Sequence, residues 1–384
     1  METVKGFRDI TNEEALKREK IKELLIRKFQ AYGFVPVETP IIEYEQFAKA
    51  DQSEETISDI FRLKDKGQRA LALRYELTFQ LKRLAKNKKL PYRRYQIGEV
   101  FRDEPVSSNR FRQFTQCDVD IVGSTIRDEA EILKLFFEIL KELKIDANIY
   151  INNRKLLNEI LEKEGIKPND RLQVIKEIDK LDKLPEAQVR ENLKKYNAEK
   201  LIALLKKPIS YFKKYKSFEE IEKLLSYCKE YNVKVKFQPS LARGLAYYNG
   251  SVFEIKSKAM KESIAGGGSY LINGIRSTGI SFGLDRLTSL AKISVEKLPK
   301  AIVISIAQEK NAIKLAEKLR ANNISCFIMD KISKALEYAN AKAIPFVVFV
   351  GKEEIKKKKF RLRDMKIGKE KLLSVSELIK KLKS

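Results

Sequence analysis

Arg102, Glu104, Arg110 and Arg112 fall within one short polar stretch of the segment YQIGEVFRDEPVSSNRFRQFTQCDVDIVG, residues 95–123. Guanidinium forks pair bidentately with phosphate or carboxylate, and the pairing strengthens where water is excluded. The set therefore suits an adenine nucleotide together with an acidic substrate. A hairpin with a solvated basic tip would carry the same residues, so this segment alone leaves both readings open. What must hold the arginines is clearer. Residues 95–101 and 111–122 mix β-branched and aromatic side chains with partial alternation, which predicts an antiparallel strand pair with the polar residues at its connection.

A second segment is more specific. Residues 241–255 read LARGLAYYNGSVFEI, and with FRDE and QCDVDIVG they resemble the histidyl-tRNA synthetases, class II aminoacyl-tRNA synthetases whose members carry RGL(D/A)YY and QCD(V/F)DI. The likeness extends along the chain through VKGFRDI near the start, LRYELT at 73–78, INNRKLL at 151–157, IDKLDKL at 178–184, FGLDRL at 282–287 and RDMKIGKE at 363–370. The resemblance implies an α/β protein. Its α+β catalytic core would be a class II antiparallel sheet flanked by helices, followed by a mostly parallel α/β anticodon-binding domain.

It also implies a reaction: the carboxylate of L-histidine attacks ATP, with Mg²⁺, and the adenylate is then transferred to tRNA(His). On the matching positions, Arg102 and Arg243 would be catalytic. Arg102, Glu104, Arg110, Arg112 and Arg286 would hold ATP, with Arg286 toward the γ-phosphate and Glu104 and Arg110 bracketing adenine and phosphates. Glu76, Thr78 and Gln116 would take the ammonium end of histidine, with Arg243 nearby. Asp120, Tyr247 and Tyr248 would face its ring. A carboxylate at Asp120 accepts an imidazole N–H that a phenyl ring lacks, and unpaired polar groups penalise the wrong substrate. The sequence departs from the family at Tyr75, where LRPELT has proline, at Thr115, where a larger ring is usual, and at Ser269 and Leu271, where GGGRYD has Arg and Asp.

The organisation follows in order. Apolar residues at Leu16, Ile21, Leu24, Leu25 and Phe29 predict an amphipathic helix over 14–32, stopped by Gly33. In FVPVETPIIEY, Pro36 and Pro40 confine the extended run to a sheet edge or an interface. By resemblance this is the first class II motif, which builds a homodimer interface. The catalytic core is expected over 1–150 and 236–296, interrupted by a Lys/Glu-rich helical insertion at 151–235. Residues 299–384 alternate as strand, helix (309–321), strand, helix (333–343), strand, which is a βαβαβ unit. Its lysine run, with Lys356, Lys357, Arg361 and Arg363, reads as an RNA-contacting edge beside a hairpin. Gly266–Gly268 does not fit GxGxxG; close approach of backbone to a ligand is the better use.

Composition sets bounds. A net charge of +25, with 34% of residues charged, points to a polyanionic partner such as tRNA. Cys117, Cys228 and Cys326 lie far apart with no CxxC, which indicates neither a disulfide framework nor a zinc site. No apolar run is long enough to span a bilayer, so a cytoplasmic protein without membrane contact is expected. The chain contains no histidine. No protein imidazole can act as general base or metal ligand, and chemistry must rest on arginines, carboxylates, Mg²⁺ and the substrates' own groups. Three other readings stay open: the histidine-sensing regulatory subunit of ATP phosphoribosyltransferase, an RNA-binding translation-control module on the same fold, and a class II synthetase for another amino acid.

Overall fold

The structure, a computed structural model, describes residues 2–383 apart from 51, 53, 108, 183, 243–246 and 297, and apart from the side chain of Glu55. Two compact units divide it, Met1–Ile293 and Ser294–Ser384. The first opens with α1 (Asn12–Ala31), β1 (Val35–Pro36), β2 (Ile42–Tyr44), α2 (Glu45–Lys49), α3 (Glu54–Ser58), β3 (Arg62–Lys64), β4 (Ala70–Leu73) and α4 (Leu81–Leu84). Then come β5 (Tyr92–Phe101), β6 (Gln113–Val122), α5 (Ile126–Glu142), β7 (Asn148–Asn153), α6 (Arg154–Lys163), α7 (Pro168–Asp179), α8 (Glu186–Lys194), α9 (Leu201–Leu205), α10 (Ile209–Phe212) and α11 (Phe218–Glu230). It closes with β8 (Val235–Phe237), β9 (Ser251–Lys256), β10 (Ala265–Ile272), β11 (Ile275–Gly283) and α12 (Leu284–Leu290).

Eight of these strands form one sheet in the order β1-β5-β6-β11-β10-β9-β7-β8. Its inner pairs are antiparallel, while β1 and β8 add in parallel at the two edges. Pro36 thus sits on an edge strand, where its missing N–H costs no ladder bond. A second, three-stranded sheet joins β2, β4 and β3.

Period-two alternation explains the central strand. On β6, Cys117, Val119 and Ile121 point into a core shared with Ile21, Leu25 and Phe29 of α1 and Ile132, Leu133 and Phe136 of α5. The ring of Phe136 stacks on Phe282 of β11 at 4.0 Å. Gln116, Asp118 and Asp120 alternate with these and face the other way. Gly33 (φ +75°) ends α1, and Thr125 with Asp128 forms a capping box that starts α5. The hairpin between β10 and β11 turns on Asn273 (φ +50°) and Gly274 (φ +78°), the two left-handed residues a tight primed turn needs.

Ile151, Asn152 and Asn153 finish β7 and do not open the helical stretch; Asn153 also caps α6, accepting from the Lys155 amide at 2.8 Å. The helices that follow are not a detached lobe. Ile160 of α6, Ile175 of α7, Leu193 of α8 and Leu224 of α11 belong to the same buried cluster as Leu133 and Phe253.

The second unit contains β12 (Ala301–Ser305), α13 (Glu309–Arg320), β13 (Cys326–Met329), α14 (Ile332–Ala341), β14 (Phe346–Val350), α15 (Lys352–Lys357), β15 (Phe360–Asp364), β16 (Glu370–Leu373) and α16 (Val375–Lys383). Its sheet runs β13-β12-β14-β15-β16, parallel across the first three strands and antiparallel beyond. Val303 and Val348 pack with α13 and α16 on one face, and Ile302 and Val347 pack with α14 on the other.

Candidate active site

The outward face of β6 and its neighbours builds two adjoining cavities. One, of about 160 Å³, is lined by Arg102, Glu104, Arg110, Phe111, Phe114 and Arg286, with Asn109, Asp285 and the backbone of β10 and β11 around them. The other, of about 130 Å³, is lined by Glu76, Thr78, Asp118, Asp120, Tyr247, Tyr248 and Tyr270. Arg102, Gln116, Gly266 and Ser281 line both. A group bound in one cavity therefore meets a group bound in the other beside Arg102.

Arg102 is held in place. Its guanidinium carbon lies 4.2 Å from the ring centre of Tyr75 and 5.0 Å from that of Phe114, and its Nε donates to the Tyr75 carbonyl at 3.3 Å. The Tyr75 hydroxyl donates to Glu104 at 3.4 Å, and Arg110 Nε sits 3.2 Å from the other oxygen of Glu104. Tyr75, a departure from the family pattern, is thus a platform for the arginine. Cation–π contact of this kind is worth about 1–2 kcal/mol when partly desolvated, or roughly a 5- to 30-fold change in rate if it is needed to aim the charge. Tyr75→Ala should lower by that factor the ATP-dependent activation that the sequence resemblance implies, and Tyr75→Phe should stay within about 3-fold because the ring face survives. Equal rates for Tyr75→Ala and the parent chain would make the stacking incidental.

Arg286 donates to the Ser263 carbonyl at 2.7 Å and so lies along the first cavity's wall. Its neighbour Asp285 is tied to Arg18 at 2.8 Å, to Arg8 at 3.0 Å and to the Thr115 amide at 3.3 Å. Arg18 also donates to the Thr115 hydroxyl at 2.8 Å. The small residue at 115 accommodates this brace between α1, β6 and α12.

Arg112 is the exception among the expected nucleotide ligands. It does not line the cavity: it pairs with Asp103 at 2.9 Å, and its amide bonds to the Gly6 carbonyl at 2.9 Å. Gly6, at φ +86°, leaves no space for a Cβ against the Arg112 side chain. The arginine is occupied in docking the N-terminal segment onto β6.

In the second cavity three carboxylates are buried. Burial raises the pKa of Glu76, with Arg102 opposing, and Glu76 accepts from Gln52 at 3.3 Å and from Tyr247 at 3.2 Å. Asp120 is likewise raised by burial, with Arg94 and the Tyr270 hydroxyl opposing. Tyr270 donates directly to Asp120 Oδ1, and Arg94 Nη2 lies 2.7 Å from Asp120 Oδ2. Burial pushes Asp118 up to about 7, with Arg94 opposing and the Asp120 charge adding. Arg94 is fully buried and also donates to the Leu77 carbonyl at 2.7 Å.

The structure brings together Glu76, Thr78, Gln116, Asp120, Tyr247 and Tyr248 in this cavity. Arg243 lies outside the described residues. Arg94, Asp118 and Tyr270 were missed by residue-by-residue reading, although alternation along QCDVD places Gln116, Asp118 and Asp120 on one face. The glycine run has a different use from the one expected. A Cβ on Gly267 would overlap the Gly279 carbonyl, and one on Gly268 the Ser251 carbonyl and the Tyr248 ring, so these glycines let strands and a tyrosine close up. Gly266 alone of the three lines both cavities. Ser269 donates to the Ser277 carbonyl at 3.3 Å and braces the run, while Leu271 is half exposed.

In the second unit, Lys356 and Lys357 end α15, and Arg361 and Arg363 lie on β15. The edge is not purely basic. Lys357 pairs with Glu353 at 3.3 Å, Arg361 lies 3.5 Å from Glu354, and Arg363 lies 3.7 Å from Glu370. Lys357 and Arg361, which stacks 4.6 Å over Phe349, line a cavity of about 560 Å³ with Ile306, Gly351 and Leu372.

Known proteins match both units. The family model for histidyl-tRNA synthetase matches residues 6–287, and that for an anticodon binding domain matches residues 300–384. Histidine–tRNA ligase 1 of Bacillus cereus is 35% identical, covering 98% of this chain and 98% of its own. Histidine–tRNA ligase of Clostridium tetani is 33% identical over 99% of this chain and 97% of its own. Among solved structures, a histidyl-tRNA synthetase from a Nostoc species superposes with a TM-score of 0.86 at 25% identity, covering 100% of this chain and 98% of that one.

Proposed function

The chain belongs to the histidyl-tRNA synthetase family, and from that premise we propose that it is a histidine–tRNA ligase that activates L-histidine with ATP and transfers it to the 3′ end of tRNA(His). The observation that carries this reading is the position of Arg102, on the shared wall of the two cavities. The first step joins the histidine carboxylate to the α-phosphorus of ATP and expels pyrophosphate, so negative charge grows where the two substrates meet. A preorganised guanidinium at that place stabilises the transition state more than either ground state.

The other roles follow from the lining. Arginines and aromatic rings fit the first cavity to ATP: Arg286 and Arg110 for phosphates, with Glu104 toward the adenine. Arg243 would add a second positive charge at the α-phosphate. Glu76, Thr78 and Gln116 would hold the ammonium, with Asp120, Tyr247 and Tyr248 at the ring. Among the described residues no group of three or more acidic, Cys or His side chains is placed to cage an ion. Mg²⁺ would then be held largely by the triphosphate's own oxygens, where it supplies further charge neutralisation. Adenylate transfer to a tRNA ribose hydroxyl completes the reaction. Residues 299–384 would bind the anticodon stem, with Lys356, Lys357, Arg361 and Arg363 contributing contacts to it.

The setting is the cytoplasm; no described helix is long and apolar enough to cross a membrane. A homodimer is supported by exposed apolar residues along the first motif: Val35 is 50% exposed, Ile42 47% and Tyr44 54%. The regulatory-subunit reading loses ground because that protein lacks an anticodon-binding domain, which residues 300–384 match. ATP–pyrophosphate exchange with each amino acid in turn tests the proposal. Exchange with histidine alone is the expected result; no exchange with any would favour the regulatory reading, and exchange with another amino acid would reassign the substrate.

A further inference from the structure

Asp118 has no role in the assignment above, yet it is placed to receive a ligand beside Asp120. It is 3% exposed, lines the amino-acid cavity, and its Oδ1 has no hydrogen-bond partner. Of the Asp120 oxygens, Oδ1 accepts from Tyr270, while Oδ2, ion-paired with Arg94, likewise has no hydrogen-bond donor. A buried acceptor without a donor costs free energy in the empty protein, and a ligand that brings the donor recovers it.

The groups around Asp118 come from four strands, the segment that follows β4 and the segment that precedes β9. On β5, Gln96 stands opposite it and Arg94 acts on it electrostatically. Asp120 is its neighbour two residues along β6, and Ser281 stands opposite it on β11. After β4, Arg74 and Glu76 add charges of opposite sign. Tyr270 on β10 and Tyr247 and Tyr248 close the cavity. Arg74 is turned away to the carbonyls of Glu99 at 2.6 Å and Thr39 at 2.8 Å. Arg94 is therefore the cation set between two carboxylates that face one small cavity, and the ring end carries surplus negative charge.

We propose, resting on the histidine activation inferred above, that Asp118 is a second specificity-determining carboxylate and that the pocket takes the substrate ring as imidazolium, one N–H to Asp118 and the other to the Asp120 side. Neutral imidazole has one N–H and one bare nitrogen, whereas imidazolium donates at both. Two carboxylates against one ring thus favour the doubly protonated form and disfavour phenyl rings, which donate nothing, and side-chain amides, which present donors on one side only.

This binding mode carries a proton count. In the complex, Asp118 and the ring hold one proton between them, on the ring. At about pH 8 both are largely deprotonated when apart, so binding takes up nearly one proton from solvent; at about pH 5.5 both are largely protonated, so binding releases nearly one. Calorimetric titration of the full chain with histidine, in buffers of contrasting ionisation enthalpy at both pH values, reads this directly. Asp118→Asn should weaken histidine binding by about 10- to 100-fold, abolish most of the uptake at the higher pH, and leave ATP affinity unchanged, which checks that the variant is folded. The difference between parent and variant removes any contribution from Glu76 and reads Asp118 together with its neighbour Asp120, whose charge acts on it. Histidine binding by the parent chain without proton exchange at either pH, or an Asp118→Asn chain with parental affinity and uptake, overturns the proposal and leaves the ligase reading standing. A parent chain that binds ATP and no histidine overturns both.

Discussion

Replacing Arg102 with alanine is expected to lower ATP–pyrophosphate exchange by about two to three orders of magnitude, the usual effect of deleting one preorganised charge donor from a transition state. The argument rests on geometry. The guanidinium is fixed between the rings of Tyr75 and Phe114 and borders both cavities. In the proposed role it would need no reorganisation when charge develops at the α-phosphate, so most of its effect should fall on the rate. Histidine affinity should change far less. Arg102→Lys should recover little, because an ammonium can neither stack as a plane nor present a fork. If histidine binding collapsed in Arg102→Ala while the exchange rate at saturation held, the arginine would be a ground-state ligand and the assigned role would be wrong.

Removing residues 299–384 should abolish tRNA charging at ordinary concentrations and leave exchange measurable. Every described member of the large core, from Ile21 to Ala291, belongs to the first unit, which therefore carries a core of its own. The second unit likewise closes its own sheet with its own helices. Charging by the intact chain should also fall steeply with added salt, as expected when lysines and arginines displace counterions from a nucleic-acid backbone. Charging at the full rate by the truncated chain, measured over a range of tRNA concentrations, would reduce the second unit's positive charge to a solubility feature.

The strand pair around Arg102 was legible in the sequence because both runs are long and rich in β-branched and aromatic residues, and β5 and β6 pair over their full lengths. The βαβαβ order of the second unit was legible for the same reason, since its strands read as continuous apolar runs. Less could be foreseen where long-range contact decides. Nothing local in FRQF says that Arg112 will pair with Asp103 and seat Gly6 while Arg102, ten residues earlier, faces the cavity. Arg94 reads as one basic residue among several in PYRRY, and only the sheet register that sets it opposite Asp120 reveals it as the buried counter-ion. Tyr270 is hidden in a different way: the family pattern singles out its neighbours Ser269 and Leu271, and the alternation of β10 that turns its hydroxyl toward Asp120 depends on the register with β11. The acidic partners of Lys357, Arg361 and Arg363 come from one helical turn and one hairpin partner, a pairing that composition averages away.

The two-sided use of β6 has a consequence for how this sequence can vary over time. Phe114, Gln116, Asp118 and Asp120 border the cavities, while Cys117, Val119 and Ile121 fill the core and Thr115 anchors Arg18. From Phe114 to Ile121 no position is idle, so drift here is confined to substitutions that preserve either packing volume or a specific polar contact. A deletion or insertion of one residue would exchange the two faces, sending carboxylates into the core and apolar groups into the cavities. The strand should therefore tolerate changes of kind poorly and changes of length not at all.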